Sequence, residues 1–410
     1  MLLFLHIFVT DGIRDRTMKL TKISSAILLS TFSLSAVQAA GLDRSGQSIH
    51  AFLQPGNYAE AGISVLDPTV KGKKKKKNNV DDMGEDYYFP SAAIKVQATD
   101  QISVGLLYDQ PYGADAIYST AASVFTDGVE GTSVEVDTNN LTALIGYQPN
   151  KNWNFFAGPV WQTVEADIHL RGAAYGNTGY NIKVEQKEAW GWLAGFAYQI
   201  PEIALKASVA YRSEISHNAT AIQSSKITVP SGMLPHLPNG IESHRTDAVN
   251  ATTPQSVNID LQTGIAQNTL AFVNMRWVHW SEFAVKPTLL GDISIIKNPN
   301  GTRQNLIDYS DDQWSATVGL GHKFNNKWSG TAAVGYDSGA GNPVTTLGPT
   351  EGYWSVGVGG QYSPAENYFI QAGVKYFWLG DAHAQTGGNV VGEFEDNHAL
   401  GYGMKIGYRF

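Results

Sequence analysis

The last eleven residues constrain this chain more than any other stretch. Leu400, Tyr402, Met404, Ile406, Tyr408 and Phe410 are apolar or aromatic, and Gly401, Gly403, Lys405, Gly407 and Arg409 lie between them. Alternation with period two and no miss marks a strand whose two faces meet different surroundings. The pattern recurs upstream in Tyr368 to Trp378, Trp314 to Phe324, Trp328 to Tyr336, Leu205 to Tyr211 and Ile102 to Tyr108. The intervening positions are mostly Gly, Ser and Thr. Such residues suit an aqueous lumen, as the apolar set suits lipid. A soluble sandwich would instead show a charged outer face, and only 16% of the residues are charged. Mean hydropathy is −0.19. No uninterrupted apolar run is long enough to cross a bilayer as a helix.

Connections alternate in length. Short turns rich in Pro, Asn, Asp and Gly fall at 98–101, 148–152, 200–202, 266–269, 325–327 and 363–367. Longer polar segments fall at 66–86, 110–137, 170–186, 217–252, 289–308, 338–350 and 380–397. Six turns and seven loops join fourteen strands. An even count with short turns on one side is the bacterial outer-membrane arrangement. The expected fold is all-β: a 14-stranded antiparallel transmembrane β-barrel with a short N-terminal luminal plug. Trp153, Trp190, Trp192, Trp277, Trp280, Trp314, Trp328, Trp354 and Trp378 lie near strand ends, where an interfacial girdle would sit.

The N-terminus reads as targeting. Lys19 and Lys22 precede an apolar stretch from Ile23 to Leu34, which ends at Val37-Gln38-Ala39. This is the form of a secretory signal cleaved after Ala39. Residues 1–17 carry Asp11 and Asp15 ahead of the basic region and read as an upstream mis-start. The expected division is 1–39 signal peptide, 40–56 hatch-like segment and 57–410 barrel. The chain has no Cys, which excludes disulfides, thiolate metal sites and a Cys nucleophile. A net charge of −8 argues against nucleic acid. The His residues show no HExxH or H-x-x-x-H spacing and no companion Ser or acidic motif. No catalytic residue, metal or cofactor is therefore expected, and the chain does not read as an enzyme.

Three stretches resemble the FadL/TodX (OMPP1) family of outer-membrane transporters for hydrophobic compounds and long-chain fatty acids. The first is Trp190-Gly191-Trp192-Leu193-Ala194-Gly195-Phe196 with Ala210-Tyr211-Arg212-Ser213-Glu214, similar to that family's strands six and seven. The second is Pro254-Gln255-Ser256-Val257 with Trp277-Val278-His279-Trp280-Ser281-Glu282-Phe283, similar to strands eight and nine. The third is Ala40-Gly41-Leu42 and, later, Asp67-Pro68. The chain departs from the family in its short segment before the first strand and in lacking Asn-Pro-Ala there, so the hatch reads as shortened.

The resemblance implies uptake of fatty acids or aromatic hydrocarbons. Extracellular loops would capture the ligand, which would pass into the barrel and leave sideways through a kinked wall. Pro159 is the candidate kink, because proline removes a ladder donor. Ala121 to Phe125 and the Pro/Leu-rich stretch with Met233, Leu234 and Leu237 are candidate apolar capture surfaces. Arg171 and Arg303 are candidate partners for a carboxylate, and Leu42 takes the place of an apolar hatch residue. The expected location is the outer membrane, as a monomer among outer-membrane lipids and lipopolysaccharide. Phe410 resembles the terminal aromatic read by the barrel-assembly machinery. The run Lys71 to Lys77 reads as a solvated loop tip able to meet lipopolysaccharide phosphates. The alternative is a general or small-solute porin, which needs a charged constriction; the inward positions, mostly Gly, Ser and Thr, do not supply one.

Overall fold

The computed structural model describes residues 42–74, 78–121, 123–296 and 302–410. The expected signal (1–39) lies outside them, as do lysines 75–77 of the basic run. Fourteen antiparallel strands follow one another around a single sheet. They are β1 (Tyr58–Thr69), β2 (Tyr87–Gln97), β3 (Ile102–Asp109, continued by Gly113–Ile117), β4 (Ser133–Tyr147), β5 (Trp153–Leu170) and β6 (Tyr180–Ile200). Next come β7 (Leu205–Arg212 with Ile215–Ser224), β8 (His244–Thr253 with Ser256–Ala266), β9 (Thr269–Val278) and β10 (Gln313–Lys323). The last four are β11 (Trp328–Asp337), β12 (Tyr353–Ala365), β13 (Tyr368–Leu379) and β14 (His398–Arg409). β14 pairs back onto β1 from Tyr58↔Arg409 to Thr69↔His398, so the sheet closes into a barrel. Closure leaves no unpaired edge.

Alternation decides which face is which. Val318 and Leu320 of β10, Val358 of β12, and Met404 and Ile406 of β14 point outward and are about half exposed. Without lipid this face would be a large apolar patch; in a bilayer it is the solvated one. Aromatics mark both edges of the band. On β10, Trp314 and Phe324 are exposed ten residues apart, and on β13, Trp378 and Tyr368 are likewise ten apart. Ten residues at about 3.3 Å, tilted by roughly 40°, span about 25 Å along the membrane normal, which matches the apolar band of outer-membrane barrels.

Several strands run beyond the positions where polarity suggests loops. β6 starts at Tyr180, and the upper parts of β7 and β8 fill much of the segment expected as the fourth long loop. The loops themselves pack into a cap over the extracellular mouth. Val344–Thr345, Ala382–Thr386, Asn389–Phe394, Gly72–Lys74 and Asn78–Val80 form a five-stranded sheet there. At the base of the lysine run, Lys73 pairs with Asn79 and lies opposite Glu393. Helix α1 (Thr288–Ser294) buries Leu289, Leu290 and Ile293 in the same cap.

Candidate functional site

The interior has two layers. The extracellular half is apolar. Its core includes Leu42, Tyr112, Phe125, Trp280, Leu289 and Phe377, all buried. Trp280 forms the centre of an aromatic group. Its ring lies edge-on to Tyr112 (5.6 Å between centroids), Phe283 (5.2 Å) and Tyr309 (5.1 Å). Its indole N–H donates to Gln313 Oε1 at 2.8 Å, so a large apolar ring is buried with no orphan donor. Just outside, Asp312 accepts hydrogen bonds from the Trp277 indole (3.0 Å) and the Ser281 hydroxyl (2.7 Å) and contacts His279 Nδ1 (3.0 Å). Partial burial, the largest single influence, pushes the Asp312 carboxyl up, but the hydrogen bonds together outweigh it and hold the group below its usual range.

The periplasmic half carries the charged side chains, and residues 42–56 run through it, with Ile49, Phe52 and Leu53 packed in an apolar cluster against Leu144, Phe156 and Leu193 on one side. Asp43 meets Arg276 of β9 through both carboxylate oxygens (2.7 and 3.1 Å). Asn258 of β8 donates to Gly46 O (2.7 Å), and Arg212 of β7 donates to Gln47 O. Lys206 of β7 donates to Leu53 O (2.9 Å), and Lys95 of β2 donates to Gln54 O (3.0 Å) and Gly56 O (2.8 Å). His50 reaches Asp260 of β8 (3.5 Å), and Phe52 packs edge-on against Phe156 of β5 (5.9 Å). A segment touching strands on several sides of a closed cylinder lies inside it. Two cavities of mixed lining flank it, of about 140 Å³ towards β8–β13 and about 110 Å³ towards β1–β4 and β14. The wall grips this segment mainly by cationic side chains on backbone carbonyls, so the inward face carries more charge than its Gly, Ser and Thr content suggests.

The barrel wall is interrupted beside this layer. β6 and β7 pair from Leu205↔Ile200 to Arg212↔Leu193 and resume only from Ala221↔Val184 to Ser224↔Asn181. Residues 185–192 and 213–220 therefore face each other without a ladder. At the lower lip, Ser213 N donates to Trp192 O and Trp192 N donates to Ser213 Oγ, both at 3.0 Å. β8 breaks at the same height, at Pro254-Gln255. Above the break β7 leans over β5, where His217 Nε2 lies 3.3 Å from Gln162 O and Thr253 donates to Gln162 Oε1 (2.7 Å). The exposed Trp190 and Trp192 place the break at the level of the outer girdle.

A family model described as outer membrane protein transport protein (OMPP1/FadL/TodX) matches residues 40–410. The chain belongs to that family. It is an outer-membrane β-barrel, as the closed sheet and its lipid-facing band require. Among solved structures it is similar to a Pseudomonas aeruginosa FadL homologue (TM-score 0.70, 14% identity, 88% of this chain and 92% of that one). It is also similar to the Pseudomonas putida toluene transporter TodX (0.64, 13%, 91% and 95%) and the Ralstonia pickettii toluene transporter TbuX (0.59, 12%, 90% and 95%). At these identities the likeness is one of fold. No curated protein matches the sequence. Family members are transport channels rather than enzymes.

The residues singled out in the sequence do not form one cluster. Leu42 sits where the two layers meet, its carbonyl accepting from Gly113 N (2.8 Å). Leu237 is buried in the cap, Leu234 packs half-buried against the same core, and Met233 is exposed. Arg171 is buried at the top of β5, donating to Glu130 (2.8 Å), Leu170 O (3.1 Å), Tyr180 O (3.2 Å) and Asn181 (2.7 Å). Arg303 pairs with Asp292 beside α1, and Arg245 shares that carboxylate (2.7 Å). Pro159 lies opposite Trp192. On its other edge the ladder runs Thr142↔Val160 and then Ile145↔Ala157, with Gly158 and Pro159 unpaired between them. The register shift on the β6 edge falls further up, between Val164 and Ala166. Sequence reasoning missed Lys95, Lys206, Arg276, Asp43 and the β6–β7 break. Its one available signal was a proline, Pro254, in mid-strand beside the Ser213-Glu214 of the neighbouring strand.

Proposed function

We propose that the protein takes up hydrophobic compounds across the outer membrane. Loops bearing Met233, Leu234 and Leu237 capture the ligand, the apolar upper lumen around Leu42 and Trp280 receives it, and it exits sideways. The observation that carries this reading is the layering. An oily ligand that reaches Trp280 meets a charged, plugged layer below it and an unladdered wall beside it. Entering the charged layer would strand desolvated polar groups, whereas the β6–β7 break opens at the outer-leaflet boundary. This break is a stronger candidate for the exit than Pro159, where Gly158 approaches the neighbouring strand closely. Residues 1–39 serve export, 40–56 act as the hatch, and Phe410 is the signal read on assembly. Arg171 and Arg303 would bind a carboxylate only by exchanging the carboxylate each now holds. The anchored segment across the lumen disfavours a general porin.

The test is binding of a panel of alkanes, fatty acids and monoaromatics to the detergent-purified protein, followed by uptake into cells lacking the gene. Binding and accelerated uptake of at least one class are expected. A steady, large ionic conductance with no binding to any panel member refutes the proposal in favour of a porin.

A further inference from the structure

On the side of the short turns the barrel holds a third and larger cavity, of about 580 Å³. Leu53 to Gly56 border it, and residues of the turns after β2, β4 and β6 line much of the rest. Eight of its nineteen lining residues are Asn or Gln, against 44 of 410 in the whole chain. Asn150 is explained by its turn, where Oδ1 accepts from Asn152 N (2.9 Å) and Trp153 N (3.0 Å). Gln199 and Gln262 lie in strands and have no such reason. Gln199 of β6, Lys206 of β7 and Gln262 of β8 stand directly opposite one another, one row across three strands. Each carboxamide spends its NH₂ on a main-chain carbonyl: Gln199 on Lys151 O (2.9 Å) and Gln262 on Ala204 O (3.4 Å). Asn152, next to Gln199, does the same with Gln199 O (2.8 Å). These bonds orient the side chains and leave three amide oxygens without a partner among the described residues. Between the two glutamines, Lys206 spends one of its three N–H groups on Leu53 O (2.9 Å).

A row of acceptor, donor and acceptor selects by charge. An anion would meet Lys206 but also the carboxamide oxygens on either side of it. A cation would meet those oxygens but also the ammonium groups of Lys206 and of Lys95, which holds Gln54 O and Gly56 O at the cavity edge. A neutral molecule with several hydroxyls satisfies the whole row, since each hydroxyl gives one hydrogen and accepts others. The volume lies within the range of small-ligand pockets, about 300–1,000 Å³. We propose that this periplasmic mouth binds a neutral saccharide, at a site separate from the path of the hydrophobic compound. Free sugars and the glycan strands of a cell wall beneath the outer membrane offer the same hydroxyl chemistry.

The test is saturation-transfer NMR on the full-length protein, purified in a detergent without a sugar headgroup. Cellobiose and N,N′-diacetylchitobiose are the probes, with acetate and tetramethylammonium as charged controls. Transfer to at least one disaccharide and to neither control is expected. Gln199→Met and Gln262→Met keep the shape of the side chain without its polar atoms. Each should weaken binding about three- to tenfold, and the double variant should weaken it further. No transfer to either disaccharide, equal binding of a charged control, or unchanged affinity in the double variant overturns the proposal. If the variants do not fold, the wild-type preference for disaccharide over both controls decides. Co-sedimentation with purified cell-wall sacculi, competed by diacetylchitobiose, would support the wall glycan as the ligand. Disaccharide binding without co-sedimentation would support a free sugar.

Discussion

The grip of Arg276 on Asp43 offers the sharpest handle on the luminal segment. Asp43 is 1% exposed and Arg276 7%. Beyond Asp43, the guanidinium donates to Asn258 (2.7 Å), Gln47 (3.1 Å) and Ser256 (3.4 Å). Arg276→Met leaves the aspartate buried without its counter-charge, which costs about 3–5 kcal/mol. The other anchors, Lys95, Lys206, Asn258 and Arg212, remain, so the segment should not leave the barrel. Its open-to-closed ratio should instead rise by about 10²- to 10⁴-fold. Planar-bilayer recording reads this directly, as brief openings in Arg276→Met against a quiet wild type. The double variant Asp43→Asn/Arg276→Met removes both charges and should close most of the difference, since neutralising a buried pair costs far less than breaking it. Openings as rare in Arg276→Met as in the wild type would refute the idea that this pair latches the segment. A double variant as open as the single one would refute the charge argument.

Other outcomes follow from separate features. Glu351 sits in the extracellular cap, where burial raises its carboxyl to about 7 although Gly341 N donates to it (3.0 Å). Because the folded value lies above the unfolded one, the native cap favours the protonated acid. Its contribution is complete below about pH 4 and is lost as pH rises through 7. Hydrogen exchange of 338–352, corrected for intrinsic rates, should therefore show loosening as pH rises from about 4.5 to 7 and a plateau above that, and Glu351→Gln should abolish the change. A Cβ on Gly158 would lie 1.7 Å from Ala143 O, whereas one on Gly348 would meet nothing within 4 Å. Gly158→Ala should lower barrel stability by at least about 1–3 kcal/mol in urea unfolding, with Gly348→Ala near neutral; equal effects would discount the close approach. The chain has no Cys, so Ala189→Cys/His217→Cys introduces the only thiols. Bridging them with a bifunctional maleimide should block uptake and reversible cleavage of the linker restore it, while undiminished uptake would rule out exit through the β6–β7 break.

The barrel was legible wherever a strand lies within the membrane, because lipid on one side and water on the other impose alternation. β14 from Leu400 and β13 from Ile370 to Tyr376 show it without interruption, and all six short turns fall where Pro, Asn, Asp and Gly indicated. Legibility ends above the outer girdle. At Glu185 to Glu188 both faces of β6 meet polar surroundings, so the pattern dissolves although the strand continues. The upper halves of β7 and β8 were hidden for the same reason. The luminal anchors escaped for another: Lys95 and Lys206 look like ordinary inward polar residues until a segment 39 to 153 positions away along the chain presents its carbonyls to them. Arg171 and Arg303 are basic residues at the right height, but their partners are set by loop packing that no local pattern encodes.

The unladdered stretch between β6 and β7 keeps phase. Pairing enters it at Arg212↔Leu193 and leaves it at Ala221↔Val184 with the same offset, and β7 and β8 also hold one offset across their own interruption. No residue has been inserted or slipped. Zipping the seam therefore needs only a swing of the upper hairpin and an exchange of water for peptide partners, a swap of small net free energy. Were ligand to leave through this seam, it could reseal in register after each passage.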